Sequence, residues 1–167
     1  MTPTFNKLPS NVRAGSIDVL QNALATAIDL ALLVKQGHWN IKGPSFIAIH
    51  QLLDGLNAEM HDAADTMAER LVALGGVAAG STASVAEARP GTSTDIISGQ
   101  EPLLGTLIEG YAAFGADLVA WIDETAQSGD PSTSDVLTEV SRMVDKSLWF
   151  LEAHTSQATT SPQGASS

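Results

Sequence analysis

Four stretches of this chain carry apolar side chains at the period of an α-helix, and all four are long. The first follows Ser16, with Ile17, Leu20, Leu24, Ile28, Ala31 and Leu32 on one stripe, and runs to about Asn40. Lys42-Gly43-Pro44 ends it. The second starts at Pro44 or Ser45 and continues to about Leu74, where Gly75-Gly76 stops it. The third follows Pro102 and places Leu103, Leu107, Tyr111, Phe114, Leu118, Trp121 and Ile122 on one stripe until the segment GDPSTSD, residues 129–135, breaks it. The fourth carries Val136, Leu137, Val140, Met143, Val144, Leu148 and Leu151. No strand signal competes, because alternation is absent and runs of β-branched residues are short.

Between the second and third stretches, residues 75–100 are rich in Gly, Ala, Ser, Thr and Pro, with a short helix expected near 94–99. So long a link between two long helices is unusual unless it crosses a bundle. The pattern predicts an all-α chain: a ferritin-like four-helix bundle with a long crossover connection between helices two and three. Residues 1–15 read as an extended N-terminal arm, 16–154 as the bundle, and 155–167 as an uncharged, low-complexity, disordered tail. At 167 residues the chain fits one domain.

Acidic residues outnumber basic ones 19 to 8, for a net charge of −11. That balance argues against a basic nucleic-acid footprint and suits attraction of cations. The absence of cysteine excludes disulfides and thiolate metal sites. The N-terminal residues MTPTFNKLPSNVRAGS hold no apolar signal core, and the longest apolar runs, such as residues 30–34, are too short to span a bilayer. The expectation is a soluble cytoplasmic protein with no membrane association.

Chemistry enters through the histidines, of which there are four. His38 precedes the turn between the first two helices, and His50 follows it. On a helical projection of the second helix, with His50 set at zero, Asp54, Asn57, His61, Asp65 and Glu69 fall between about 340° and about 100°. Phe46, Ile49, Leu52, Leu53, Leu56, Met60, Ala63, Met67, Leu71 and Leu74 occupy about 200° to about 320°, which is the core side. The polar stripe therefore faces away from the bundle interior. It is either a solvated helix face or an interface with another subunit. It holds two histidines and three carboxylates with no Lys or Arg, whereas solvated faces usually mix signs. Imidazole and carboxylate together suit Fe, Mn or Zn. No Glu-x-x-His occurs, so the usual donor set of a di-iron site inside a bundle is missing.

The segment KQGHWNIKGPSF, the spacing His50-x-x-x-Asp54, the run from Asp65 through Glu69 to Arg70, and DKSLWFLEAH at 145–154 resemble the Dps family of DNA-binding proteins from starved cells, which are miniature ferritins. The similarity extends from about residue 8 to residue 154, and separations of 12, 15 and 4 between His38, His50, Asp65 and Glu69 match the family's ferroxidase pattern. The resemblance implies a hollow homo-dodecamer with iron centres at two-fold interfaces. One subunit would give Asp65 and Glu69, and its partner His38, His50 and Asp54. It implies two iron ions per centre, Fe(II) and hydrogen peroxide as substrates, ferroxidase activity, and storage of ferric mineral that protects against oxidative damage.

Other residues carry bland readings beside functional ones. His61 lies on the stripe outside the family's motif, and is expected to sit near the site or in solvent. His154 suits a helix C-terminus. In GDPSTSD, Asp130 suits a helix cap with Pro131 at the first helical position; the resemblance adds Asp130 and Asp135 as candidates to line a negatively charged pore through which iron enters. Trp39, beside His38, is either an interface residue or a radical quencher. Tyr111, Trp121, Trp149 and Phe150 read as packing residues. The family's DNA-binding members use lysine-rich tails. Here the arm has only Lys7 and Arg13 and the C-terminal tail is uncharged, so DNA binding is expected to be weak at most. A nucleoid-compacting stress protein with minor iron chemistry is the alternative function.

Overall fold

The computed structural model describes residues 1–89 and 95–155. Five helices follow in order: α1 Ser10–Asn40, α2 Phe46–Ala73, α3 Thr82–Ala88, α4 Gln100–Ser128 and α5 Pro131–Glu152. The four long helices are those expected from the periodicity. α1 packs chiefly on α2, and α4 on α5, so the bundle is two antiparallel hairpins laid together.

The crossover sets the topology. The one β-bridge among the described residues is parallel and joins Lys42 and Gly99. It joins the start of α4 to the turn between α1 and α2, at the end of the bundle opposite the end of α2. Gly75 and Gly99 therefore lie at opposite ends of the bundle, and α4 runs parallel to α2. The short helix lies at Thr82–Ala88 rather than at 94–99, capped by the Ser81 side chain accepting from the Ser84 amide. Residues 95–98 have no helical structure, and residue 94 lies outside the described residues, as does all of the expected tail from residue 156 on.

The first helix begins at Ser10, not at Ser16. Ser16 is instead buried, and its hydroxyl donates to the Asp130 carboxylate across the bundle at 2.8 Å. The arm before Ser10 is held against the end of α2, where the Thr2 amide donates to the Gly75 carbonyl at 2.7 Å; from α1, an Arg13 guanidinium N–H donates to the neighbouring Leu74 carbonyl at 3.1 Å. Gly75 stops α2 with a left-handed φ of 90°, and a Cβ there would lie 2.7 Å from the Thr2 carbonyl oxygen.

The core runs the length of the bundle through Leu20, Leu24, Leu53, Leu56, Met60, Met67, Tyr111, Phe114, Leu137 and Val144, all buried. Helices α1 and α4 are long and apolar enough to cross a membrane by length and composition alone, but much of their apolar surface lines this core. Gly37 marks a close approach, since a Cβ there would meet a Leu103 methyl at 2.9 Å. Phe46, expected on the core side, is instead 44% exposed at the first turn of α2.

Candidate metal centre

His38 and His50 are brought together by the α1–α2 turn. The Nδ1 of His38 donates to the carbonyl of His50, and the Nδ1 of His50 donates to the carbonyl of His38, each at 2.8 Å. A carbonyl only accepts, so each Nδ1 carries a proton, and in the neutral tautomer this leaves the lone pair on Nε2. The rings stack with centroids 3.7 Å apart, and Phe46 packs beside His50 at 5.1 Å. The two rings thus present their Nε2 atoms side by side from one corner of the fold.

The turn is braced from behind. The Lys42 amide donates to the Ser98 carbonyl at 2.8 Å, and the Gln100 side chain accepts from the Ser45 amide at 3.2 Å. The crossover and the start of α4 thereby fix the histidine corner.

Asp54 lies one turn beyond His50 and is exposed. Its carboxylate accepts a short hydrogen bond from the Lys35 ammonium on α1. That bond, and then the Lys35 charge itself, hold its carboxyl below the usual range. The polar stripe of α2 has no cation of its own, but α1 supplies one. Charge compensation across helices was invisible to a reading of α2 alone.

Asp65 and Glu69 are exposed farther along the same face and make no hydrogen bond or ion pair among the described residues. At 1.5 Å per residue, Asp65 lies about 22 Å and Glu69 about 28 Å along the helix from His50. The two donor groups therefore do not meet within one chain. Among the described residues no three His, Asp or Glu side chains converge on one metal-sized site. His61 is exposed between the two groups. Around them the outer face of the hairpin is apolar, with Trp39 70%, Ile47 61% and Val72 53% exposed.

The remaining candidates sit elsewhere. His154 closes α5 by hydrogen-bonding the Phe150 carbonyl through Nδ1 at 2.7 Å. Asp130 is 0% exposed, so it does not line a pore as a carboxylate open to water would. It caps α5 through the Thr133 amide at 3.1 Å, accepts from the hydroxyls of Thr133 and Ser16, and pairs with Arg70 at 2.7 Å. Burial alone would raise its pKa; the hydrogen bonds from Thr133 and Ser16 and the Arg70 charge outweigh that and hold it below the ordinary value. Sequence reading found the cap but not the Arg70 clasp, whose partners are 60 residues apart. Asp135 is exposed.

Comparison with known proteins agrees with this architecture. The family model for the ferritin-like domain matches residues 17–160. The DNA protection during starvation protein of Agrobacterium fabrum is 46% identical over 90% of this chain and 94% of its own length. The fine tangled pili major subunit of Haemophilus ducreyi is 32% identical over 82% of this chain and 72% of its own. Among solved structures, a tetragonal form of Mycobacterium smegmatis Dps superposes with a TM-score of 0.89 at 27% identity, covering 96% of this chain and 98% of that one. Dps from Microbacterium arborescens in a high iron form gives 0.81 at 34% identity, covering 90% and 97%. The chain belongs to the Dps family of ferritin-like proteins.

Proposed function

We propose that this protein is a ferroxidase and iron store that oxidises Fe(II) at di-iron centres shared between two subunits. The observation that carries the reading is the division of one helix face into two separated donor groups. His38, His50 and Asp54 stand at one end of the face, and Asp65 and Glu69 stand too far along α2 to reach them. A second copy packed antiparallel across a two-fold axis brings each group against its complement, because an isologous contact pairs i with j and j with i. The exposed Trp39, Ile47 and Val72 supply apolar surface for such a contact and would exclude water from the centre.

In this reading Asp65 and Glu69 supply the negative charge for two ferrous ions, and the histidine Nε2 atoms complete the coordination. Asp54 serves the second ion, from a position where Lys35 already supplies positive charge. Hydrogen peroxide accepts two electrons, one from each Fe(II), and two protons, its O–O bond breaks, and two waters form. A lone Fe(II) could give only one electron and would release hydroxyl radical, so pairing the ions is the protective step. Ferric ions then hydrolyse and accumulate as mineral inside a closed dodecamer, reached by pores at which Asp135 is the exposed candidate. A cytoplasmic location goes with this role.

The alternative, DNA compaction through a basic tail, finds little support. Arg13 is turned onto the Leu74 carbonyl, leaving Lys7 as the arm's one exposed cation. The proposal is tested by anaerobic Fe(II) titration followed by peroxide. It expects saturation at about two Fe(II) per centre and oxidation without hydroxyl-radical adducts of a spin trap. No saturable binding would overturn it.

A further inference from the structure

The same face of α2 fixes how two copies would meet, and this deepens the shared-centre reading, on which it rests. In an antiparallel pair, the residue numbers of partners add to a constant. Pairing His50 with Glu69 and Asp54 with Asp65 gives the same sum in both cases. That register also sets Ile47 against Val72, two apolar side chains on the same stripe that are 61% and 53% exposed. The agreement is independent of the metal donors, since apolar side chains gain by meeting one another.

The centre of this register falls between residues 59 and 60. His61 is exposed, lies on the stripe, and stands about 2 Å along the axis from that centre. The two-fold axis keeps equal angular offsets on the same side, so His61 and His61 of the partner subunit face one another about 4–5 Å apart along the helices. The residue opposite each is Ala58, whose small side chain leaves room for both rings. Each His61 lies one turn from its own Asp65, so negative charge flanks the pair on both sides, and the net charge of the chain is already −11.

We propose that the two His61 side chains form a further metal site on the two-fold axis, midway between the two iron centres, taking one divalent cation of borderline softness per dimer. Two imidazole nitrogens from opposite helices suit Fe(II), Co(II) or Zn(II) rather than Mg(II) or Ca(II).

Co(II) is the probe, because its visible bands report nitrogen coordination. The assembled His38→Ala/His50→Ala protein, which lacks the imidazoles of the iron centres, is titrated with Co(II) without oxygen. The expected result is one Co(II) per two chains, and its affinity falls at least about tenfold when His61→Gln is added. Assembly is checked by size-exclusion chromatography for both variants, and His61→Asn serves in place of His61→Gln if the latter does not assemble. Co(II) binding that His61 substitution leaves unchanged, or no Co(II) binding at all, overturns the axial site. If the native protein still takes two Fe(II) per centre in that case, the failure belongs to His61 alone. If the native protein binds no Fe(II), the shared-centre reading has failed as well.

Discussion

The histidine corner illustrates how backbone chemistry prepares a side chain. Each imidazole is oriented and assigned a tautomer by the other's carbonyl, so neither needs a separate carboxylate to hold it. Replacing both by alanine should slow peroxide-dependent Fe(II) oxidation by orders of magnitude, followed by absorbance of Fe(III), while size-exclusion shows the assembly intact. Trp39 stands beside this corner, 70% exposed. Trp39→Phe should increase oxidative modification of the protein during peroxide turnover, counted by mass spectrometry; unchanged modification would leave it a packing residue. Asp130 is a different case, a buried carboxylate in a clasp of Arg70, Ser16 and Thr133. Asp130→Ala strands a largely buried guanidinium and should cost about 3 kcal/mol in denaturant unfolding. Because its folded pKa is depressed, the Asp130 contribution is fully present above about pH 4 and lost as pH falls through the lower folded value. The variant should therefore show a flatter acid limb in stability against pH than the native protein.

Among the elements, α2 carries four of the five proposed iron ligands, and its ends are fixed by different means. Its start is braced by Gln100, and its end is fixed by Gly75 and the arm. Gly75→Ala places a side chain at φ 90° and against the Thr2 carbonyl, and should destabilise by about 1–3 kcal/mol in thermal unfolding. The long helices were legible in the sequence because each has a sustained apolar period and clear stop signals. Helix α3 was misplaced because it buries only Val85, so a single apolar residue left no period to read. The start of α1 was misread because Ser16 has the chemistry of a cap but spends its hydroxyl on Asp130 inside the bundle. Phe46 fitted the core projection, yet a first-turn residue lies at the rim where the bundle gives no cover. On α2, the outward direction of Asp54, His61, Asp65 and Glu69 could be read from the period of one helix. The Lys35 contact with Asp54 could not, since pairing between helices leaves no trace in the period of either.

At the scale of the whole molecule, each chain presents two separated groups of candidate donors on an outward face. The proposed shared centre needs two chains to combine them, which would make assembly a condition of activity. Complementation between two inactive chains tests it most directly. A His38→Ala/His50→Ala chain is co-assembled with an Asp65→Ala/Glu69→Ala chain, and Fe(II) oxidation by peroxide is compared with each variant alone. In a mixed dimer one centre draws its histidines and its acids from intact sources and the other from neither, so random mixing should restore about a quarter of native activity. Mixed assemblies no more active than the parent variants would contradict a centre shared between subunits.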